Sequence, residues 1–347
     1  MDGASTHAIS PCRRRRPSVV APVTVAILFV LSGAASAQTA TSSAGLRLDT
    51  KIPLGAVHGR IDHMAVDMAR QRLLVAELGN DSVGIVDLKQ GKTIHTIGGL
   101  AEPQGVGYAP AADAIYVANA RDGSVRIFRG ADYAPSGRIE LGSDADNVRL
   151  DADTNRVLIG HGSGAISTID LAQQKKLATS QLPAHPESFQ LWPQPKRIFV
   201  NVPGAHAVVV LDGTSGEQKD KWAVPEGGNF PMALDSANGR VLIVSRNPPR
   251  LIAYDKESGA VIARTETCGD SDDVFVDAKR SRVYVSCGAG FIDILETQRD
   301  GYRRIGRIAT ATGARTSLFV PDLDMLLLAV RATRSEPAAI WVFRPTP

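Results

Sequence analysis

Four acidic residues, Asp62, Asp146, Glu187 and Asp272, occupy one equivalent place in a repeat of about 42 residues. Aligned on that repeat, the same place holds Gln104, Phe230 and Thr316. The next place holds His63, Gly105, Asn147, Ser188, Pro231, Asp273 and Ser317. Carboxylate and amide oxygens brought together this way suit a hard cation such as Ca²⁺ or another divalent ion, with Asp62, Asp146, Glu187 and Asp272 as its ligands. A histidine beside such an ion can take a proton from water. His63 and His185 are therefore the candidate bases of a metal-assisted, lactonase-type hydrolysis. Arg60, Arg246 and Arg315 lie near the same places and offer different chemistry. A guanidinium grips a carboxylate or phosphate through two parallel N–H donors.

The expected ligand-contacting set is therefore Arg60, Asp62, His63, Asn147, His185, Glu187, Arg246, Asp272, Asp273 and Arg315. Any one Asp or Asn here also has a simpler reading, because both residue types cap turns. As a set they favour a polar pocket for a small polar molecule or a protein partner. The sequence contains no nucleophile elbow, Gly-rich phosphate loop, HExxH pair or CxxCH haem attachment. Binding, hydrolysis and a pure protein-interaction scaffold thus stand as alternatives, with no catalytic residue assigned beyond the two candidate bases.

The elements that position these residues follow from the repeat itself. Its clearest marker is a short strand: Arg72–Ala76, Ala114–Ala118, Arg156–Gly160, Arg197–Asn201, Arg240–Val244, Arg282–Ser286 and Met325–Ala329. A second strand follows each, as in Ser82–Asp87, Ser124–Phe128, Ala165–Asp170 and Ala207–Asp212. These segments are short, β-branched and bounded by Gly, Asn, Asp and Pro, which defines strands rather than helices. Seven repeats of this length with four strands each predict an all-β, seven-bladed β-propeller. The last repeat runs out after Ile340–Phe343. Leu46–Pro53, ahead of the first repeat, is expected to supply its missing fourth strand, so that the N-terminal strand closes the last blade. The loops that lead into the innermost strands share one face with those between second and third strands. Of the six histidines after residue 37, five (His58, His63, His161, His185 and His206) fall in these loops, and His95 lies in a fourth strand.

The R-[VIL]-[YLF]-V-[AS] strand, a turn and then S-V-x-[IV]-[VF]-D is similar to the repeat of the YVTN-repeat, YncE-like family of bacterial exported β-propellers. The resemblance spans residues 46–344. It implies a surface or periplasmic binding protein. It also implies a candidate nucleic-acid partner, since one relative binds single-stranded DNA, but the charge balance argues against that partner. The chain carries 39 Lys and Arg against 36 Asp and Glu. Residues 1–37 account for four Arg and one Asp, which leaves 35 of each sign. A neutral domain has no global attraction for a polyanion.

Those first 37 residues have the order of a secretory signal. Arg13–Arg16 form the cationic part, Val19–Leu31 the apolar part, and Ala35-Ser36-Ala37 a small-residue cleavage site. The apolar run is shorter than the roughly 20 residues of a membrane span. The expected organisation is a signal peptide over 1–37, a short segment over 38–45 and one propeller domain over 46–347. The product would be a periplasmic or secreted monomer with no membrane span, exported by either the general or the twin-arginine route. Cys268 and Cys287 then remain as an even pair in an oxidising compartment and are expected to form a disulfide. Closing a loop of this size contributes about 3 kcal/mol in the chain-entropy treatment, and it would pin Asp270, Asp272 and Asp273 beside the channel.

Overall fold

The computed structural model describes residues 45–347. The expected signal peptide over 1–37 lies outside the described residues, as does all but the last residue of the 38–45 segment. Among the described residues, 28 strands (β1 to β28 in chain order) form seven separate four-stranded antiparallel sheets. Six sheets take four consecutive strands each. The seventh has the order β1-β28-β27-β26, which joins β1 (Leu46–Pro53) to β28 (Ala339–Pro345), β27 (Met325–Val330) and β26 (Ser317–Val320). Leu46 pairs with Pro345 and Ile52 with Ile340, so the N-terminal strand closes the last blade as the repeat predicts. The chain is a seven-bladed β-propeller.

The packing explains why seven sheets make one body. There are seven apolar clusters, and each is shared by two neighbouring blades. Leu73 and Val75 pack against Leu327 and Ile340 of the last blade. Leu74 and Ala76, which alternate with them on the same strand, pack against Val106 and Ile115 of the second blade. Successive side chains of a strand point to opposite faces. A blade whose middle strands are apolar at every position therefore needs a neighbour on each side. The outermost strands are exposed, as Lys175–Gln181 shows.

The innermost strands are Met64–Asp67, Pro103–Ala109, Val148–Asp151, Phe189–Trp192, Met232–Asp235, Ser271–Asp277 and Ser317–Val320. At the end opposite the candidate residues, arginines staple blades together. Arg70 bonds Asp67 at 2.7 Å, Asp113 at 2.8 Å and the Tyr108 hydroxyl at 3.0 Å. Arg280 does the same between Asp277 and Asp324, both at 3.0 Å. Six of the turns from an innermost to a second strand, or from a second to a third, are single 3₁₀ turns that end on a left-handed residue, including Asp113 (φ 43°), Asn155 (φ 56°) and Gly239 (φ 65°). Asn, Asp and Gly tolerate that conformation best. A bulge recurs in the outermost strand pair of every blade, for example between Ile85 and Val86 and between Thr168 and Ile169. An extra residue there adds twist to the blade edge.

Closure of the ring by β1 gives a direct test. Ile52 is 3% exposed in the cluster between the last and first blades. Ile52→Ala should cost about 2–5 kcal/mol in chemical denaturation, whereas the exposed neighbour Lys51→Ala should change stability by less than about 0.5 kcal/mol.

Candidate functional site

The lead-in loops and the loops between second and third strands do meet on one face. Asn80 donates to the His58 carbonyl at 2.7 Å, and the His185 ring lies 2.6 Å from the Gly162 carbonyl oxygen. Strand pairing also fixes which residues are equivalent around the axis. Met64 pairs with Val75, Val148 with Ile159, Phe189 with Val200 and Ser317 with Leu328. The residue two before each of these forms the ring. In the last blade that residue is Arg315, and Thr316 falls one place later, beside His63 and Asp273 in register. The alignment through Thr316 was thus one residue out in this blade, and the ring reads Asp62, Gln104, Asp146, Glu187, Phe230, Asp272, Arg315.

Arginines and acids hold each other on one side of the mouth. Arg60 contacts Asp62 at 2.7 Å. Arg246 reaches Asp272 at 2.5 Å and the Ser271 carbonyl at 2.8 Å, with its guanidinium 3.8 Å from the centre of the Phe230 ring. Arg315 contacts Asp270 at 2.7 Å and Asp272 at 3.1 Å. Arg331, half-buried in the loop after β27, has no hydrogen bond or ion pair among the described residues. Its guanidinium is held below the ordinary arginine range by burial, then by the positive charges of Arg315 and Arg60.

The other side gathers histidines around Asp146. His63 Nε2 lies 3.7 Å from Asp146 and 3.9 Å from Asp62. His185 lies 3.4 Å from Asp144 and 4.0 Å from Asp146. The Asp146 carboxylate, with the Gly162 carbonyl, raises His185 to about 9. Burial opposes a charge on His63, but Asp62, Asp146 and Asp273 together outweigh it and raise the group. Burial likewise works against Asp146, yet His185 and His63 hold its carboxyl low. Three acids go the other way. Burial pushes Asp62 up to about 6, and both Glu187 and Asp273 up to about 7. Asn147 donates weakly to Asp146 at 3.4 Å, while its own Oδ1 and Asp146 Oδ1 are buried without a hydrogen-bond donor.

The remaining histidines of these loops have local roles. His161 is buried against the Ser167 hydroxyl at 2.8 Å, His206 ends a tight turn at φ 48°, and His58 is exposed. His95 stacks on Tyr133 at 4.6 Å. Cys268 and Cys287 are joined by a disulfide. The Cys268 amide also donates to the fully buried Asp293 carboxylate at 2.8 Å, which Arg307 clamps from the other side at 2.6 Å. Asp270 follows this anchored point, and its carbonyl accepts from the Gly288 amide at 2.8 Å. Among the described residues, no three His, Cys, Asp or Glu side chains converge as ligands of a metal ion, and no helix is long and apolar enough to cross a membrane. Asp270 was expected beside the channel but not among the ligand-contacting residues, and Arg331 was not singled out, because it sits in a loop with other charged residues and no positional signature.

The fold and this mouth define a propeller with a charged funnel at one end of its axis. No family model matches the chain, and no curated protein is similar to it in sequence. Solved structures share the architecture. One chain of a structure titled "Crystal Structure of Mitotic Checkpoint Complex" is similar with a TM-score of 0.74 at 12% identity, over 92% of this chain and 98% of that one. One chain of the Kuenenia stuttgartiensis hydrazine synthase is similar with a TM-score of 0.70 at 16% identity, over 85% and 97%. At these identities the likeness concerns the fold alone.

The raised acids set a pH dependence. Between about pH 4 and pH 7 the folded protein holds protons on Asp62, Glu187 and Asp273 that the unfolded chain has released, so stability falls as pH rises through that window. His185 has the same sign: its contribution is full below about pH 6.5 and is lost as pH rises through about 9. Asp273→Asn keeps an acceptor for the Ser317 amide and should flatten the fall. Relative to wild type it should gain on the order of 1 kcal/mol at about pH 8 and little at about pH 4.5, discounted for the water the channel admits. Urea denaturation across the range measures it.

Proposed function

We propose that this chain is an exported, YncE-like binding propeller that takes a small anionic ligand, such as a carboxylate or phosphate compound, at the charged mouth. Arg331 carries the reading. A half-buried guanidinium near Arg60 and Arg315, without an ion pair and with only the smaller attraction of Asp62 and Asp272 to offset them, costs stability where it stands. An arriving anion would relieve that cost, and Arg60, Arg315 and Arg246 are already oriented by Asp62, Asp270 and Asp272 to help hold it. The secretory character of residues 1–37 and the Cys268–Cys287 disulfide support export to the periplasm or beyond.

A protein partner presenting an acidic side chain or C-terminus would use the same groups. The cation reading, with Ca²⁺ among Asp62, Asp146, Glu187 and Asp272 and a lactonase-type hydrolysis by His63 or His185, draws its support from the donorless oxygen of Asp146. It has less behind it, because Arg60, Arg246 and Arg315 already neutralise Asp62 and Asp272.

Thermal unfolding with citrate, succinate and inorganic phosphate tests the proposal. A binding anion at a hundredfold excess over its Kd should stabilise wild type by about 2.7 kcal/mol. Arg331→Ala should lose most of that gain while melting no lower than wild type without ligand. Equal responses in wild type and Arg331→Ala, or none in either, would refute the anion site. Near-stoichiometric calcium in the purified protein that Asp272→Asn loses would support the hydrolase instead.

A further inference from the structure

The open space on the axis lies below the mouth. A cavity of about 450 Å³ occupies the central channel, lined by Met64, Val66, Val106, Leu150, Met232 and Phe319. It extends to the turns of the opposite face, where Met68, Pro321 and Asp322 border it. At its mouth-side end the lining turns polar, with His63, Arg149, Ser188, Asp273 and Ser317.

Arg149 is the unexpected member. The strand register makes it equivalent to Ala65, Gly107, Gln190, Ala233, Phe275 and Leu318, none of which is charged. Six blades are therefore built without a cation at this place. Arg149 is also held rigid. It donates to the Phe189 carbonyl at 3.1 Å, the Val148 carbonyl at 2.9 Å and the Ser188 hydroxyl at 3.4 Å, and lies 5.6 Å from the Phe189 ring centre. That leaves about two of the five N–H donors of a guanidinium without a protein acceptor. The His63 ring makes no hydrogen bond among the described residues, since its nearest acids stand 3.7 and 3.9 Å from Nε2. Asp273 has one oxygen committed to the Ser317 amide at 2.7 Å.

We propose that the channel is a second binding site, for a small amphiphile whose carboxylate head sits on Arg149 and His63 and whose apolar body fills the cavity toward the opposite face. The volume falls in the range of about 300–1,000 Å³ common to small-molecule sites. An apolar wall with a few convergent polar groups at one end is the lining such a ligand needs. A cationic head would meet two positive groups. Asp273 is the one acid at the polar end of this space, where the Ser317 amide holds one of its oxygens, and Asp322 borders only the far end. The site shares His63 and Asp273 with the residues around the mouth and does not depend on Arg331.

Calorimetric titration of the full chain with decanoate, decanol and decylamine, slightly below neutral pH and below micelle concentrations, tests this. Decanoate should bind at a single site at least about tenfold tighter than the alcohol or the amine, the margin of a charge-assisted head contact. Arg149→Met should erase that margin, Leu318→Trp should abolish binding by filling the channel, and Arg331→Ala should leave it unchanged. Should either channel variant fail to fold by circular dichroism, His63→Gln replaces the first and Ala65→Leu the second. The proposal is overturned if decanoate does not bind, if alcohol or amine binds as tightly, or if the filled channel binds as well as the open one.

Discussion

A four-stranded sheet that is apolar on both faces cannot stand in water alone, and this constraint governs the molecule. Each blade here buries Leu, Val and Ile from alternate positions of its middle strands against a different neighbour on each side. The hydrophobic effect thus acts between blades more than within them. Every internal blade satisfies two neighbours, and a row of them would leave two bare faces at its ends. Only a ring removes both, and the β1–β28 ladder is the device that holds the ring shut.

The same constraint creates the functional end. Where seven innermost strands converge, neither neighbouring blade covers the residues that face the axis, so these positions are freed from the apolar rule. Polar groups crowded there are partly stripped of water without being packed in hydrocarbon. That intermediate state explains why Glu187 and Asp273 are pushed up toward neutrality, whereas Asp146, between two histidines, stays low. Pairing removes most of the excess charge, Arg60 with Asp62 and Arg246 and Arg315 with Asp270 and Asp272. Arg331 is left over, and an unmatched charge in a converging funnel is a place for something else to bind.

The blades were legible because strand, turn and strand recur with the same residue types, and the closing strand was legible because the last repeat stops short. The disulfide followed from two cysteines in one blade. Ring positions were legible wherever the turn lengths agree. They failed in the last blade, where the lead-in loop Ala311–Thr316 offers no Asp or Gln landmark and the register slipped onto Thr316 instead of Arg315. The bulges left no trace, since an extra residue in an exposed outer strand looks like any other polar residue. The channel cavity was hidden for a different reason. Met64, Val106 and Leu150 read as ordinary core in a sequence, and only the three-dimensional ring shows that their far side is empty. Arg149 is the residue that could have signalled it, as a lone cation in the short innermost strand Val148–Asp151.

The closing ladder also sets an order in time. Leu46–Pro53 precedes every other described strand and pairs with Ala339–Pro345, which follows them all, and the two ends of the ring meet again where the Thr346 amide donates to the Gly45 carbonyl at 3.0 Å. Throughout synthesis the first strand has no partner, and the first blade has a neighbour on one side only. Contacts so distant along the chain carry the largest closure entropy and form late. The ladder that shuts the channel can therefore form only after every blade between its two strands has been made.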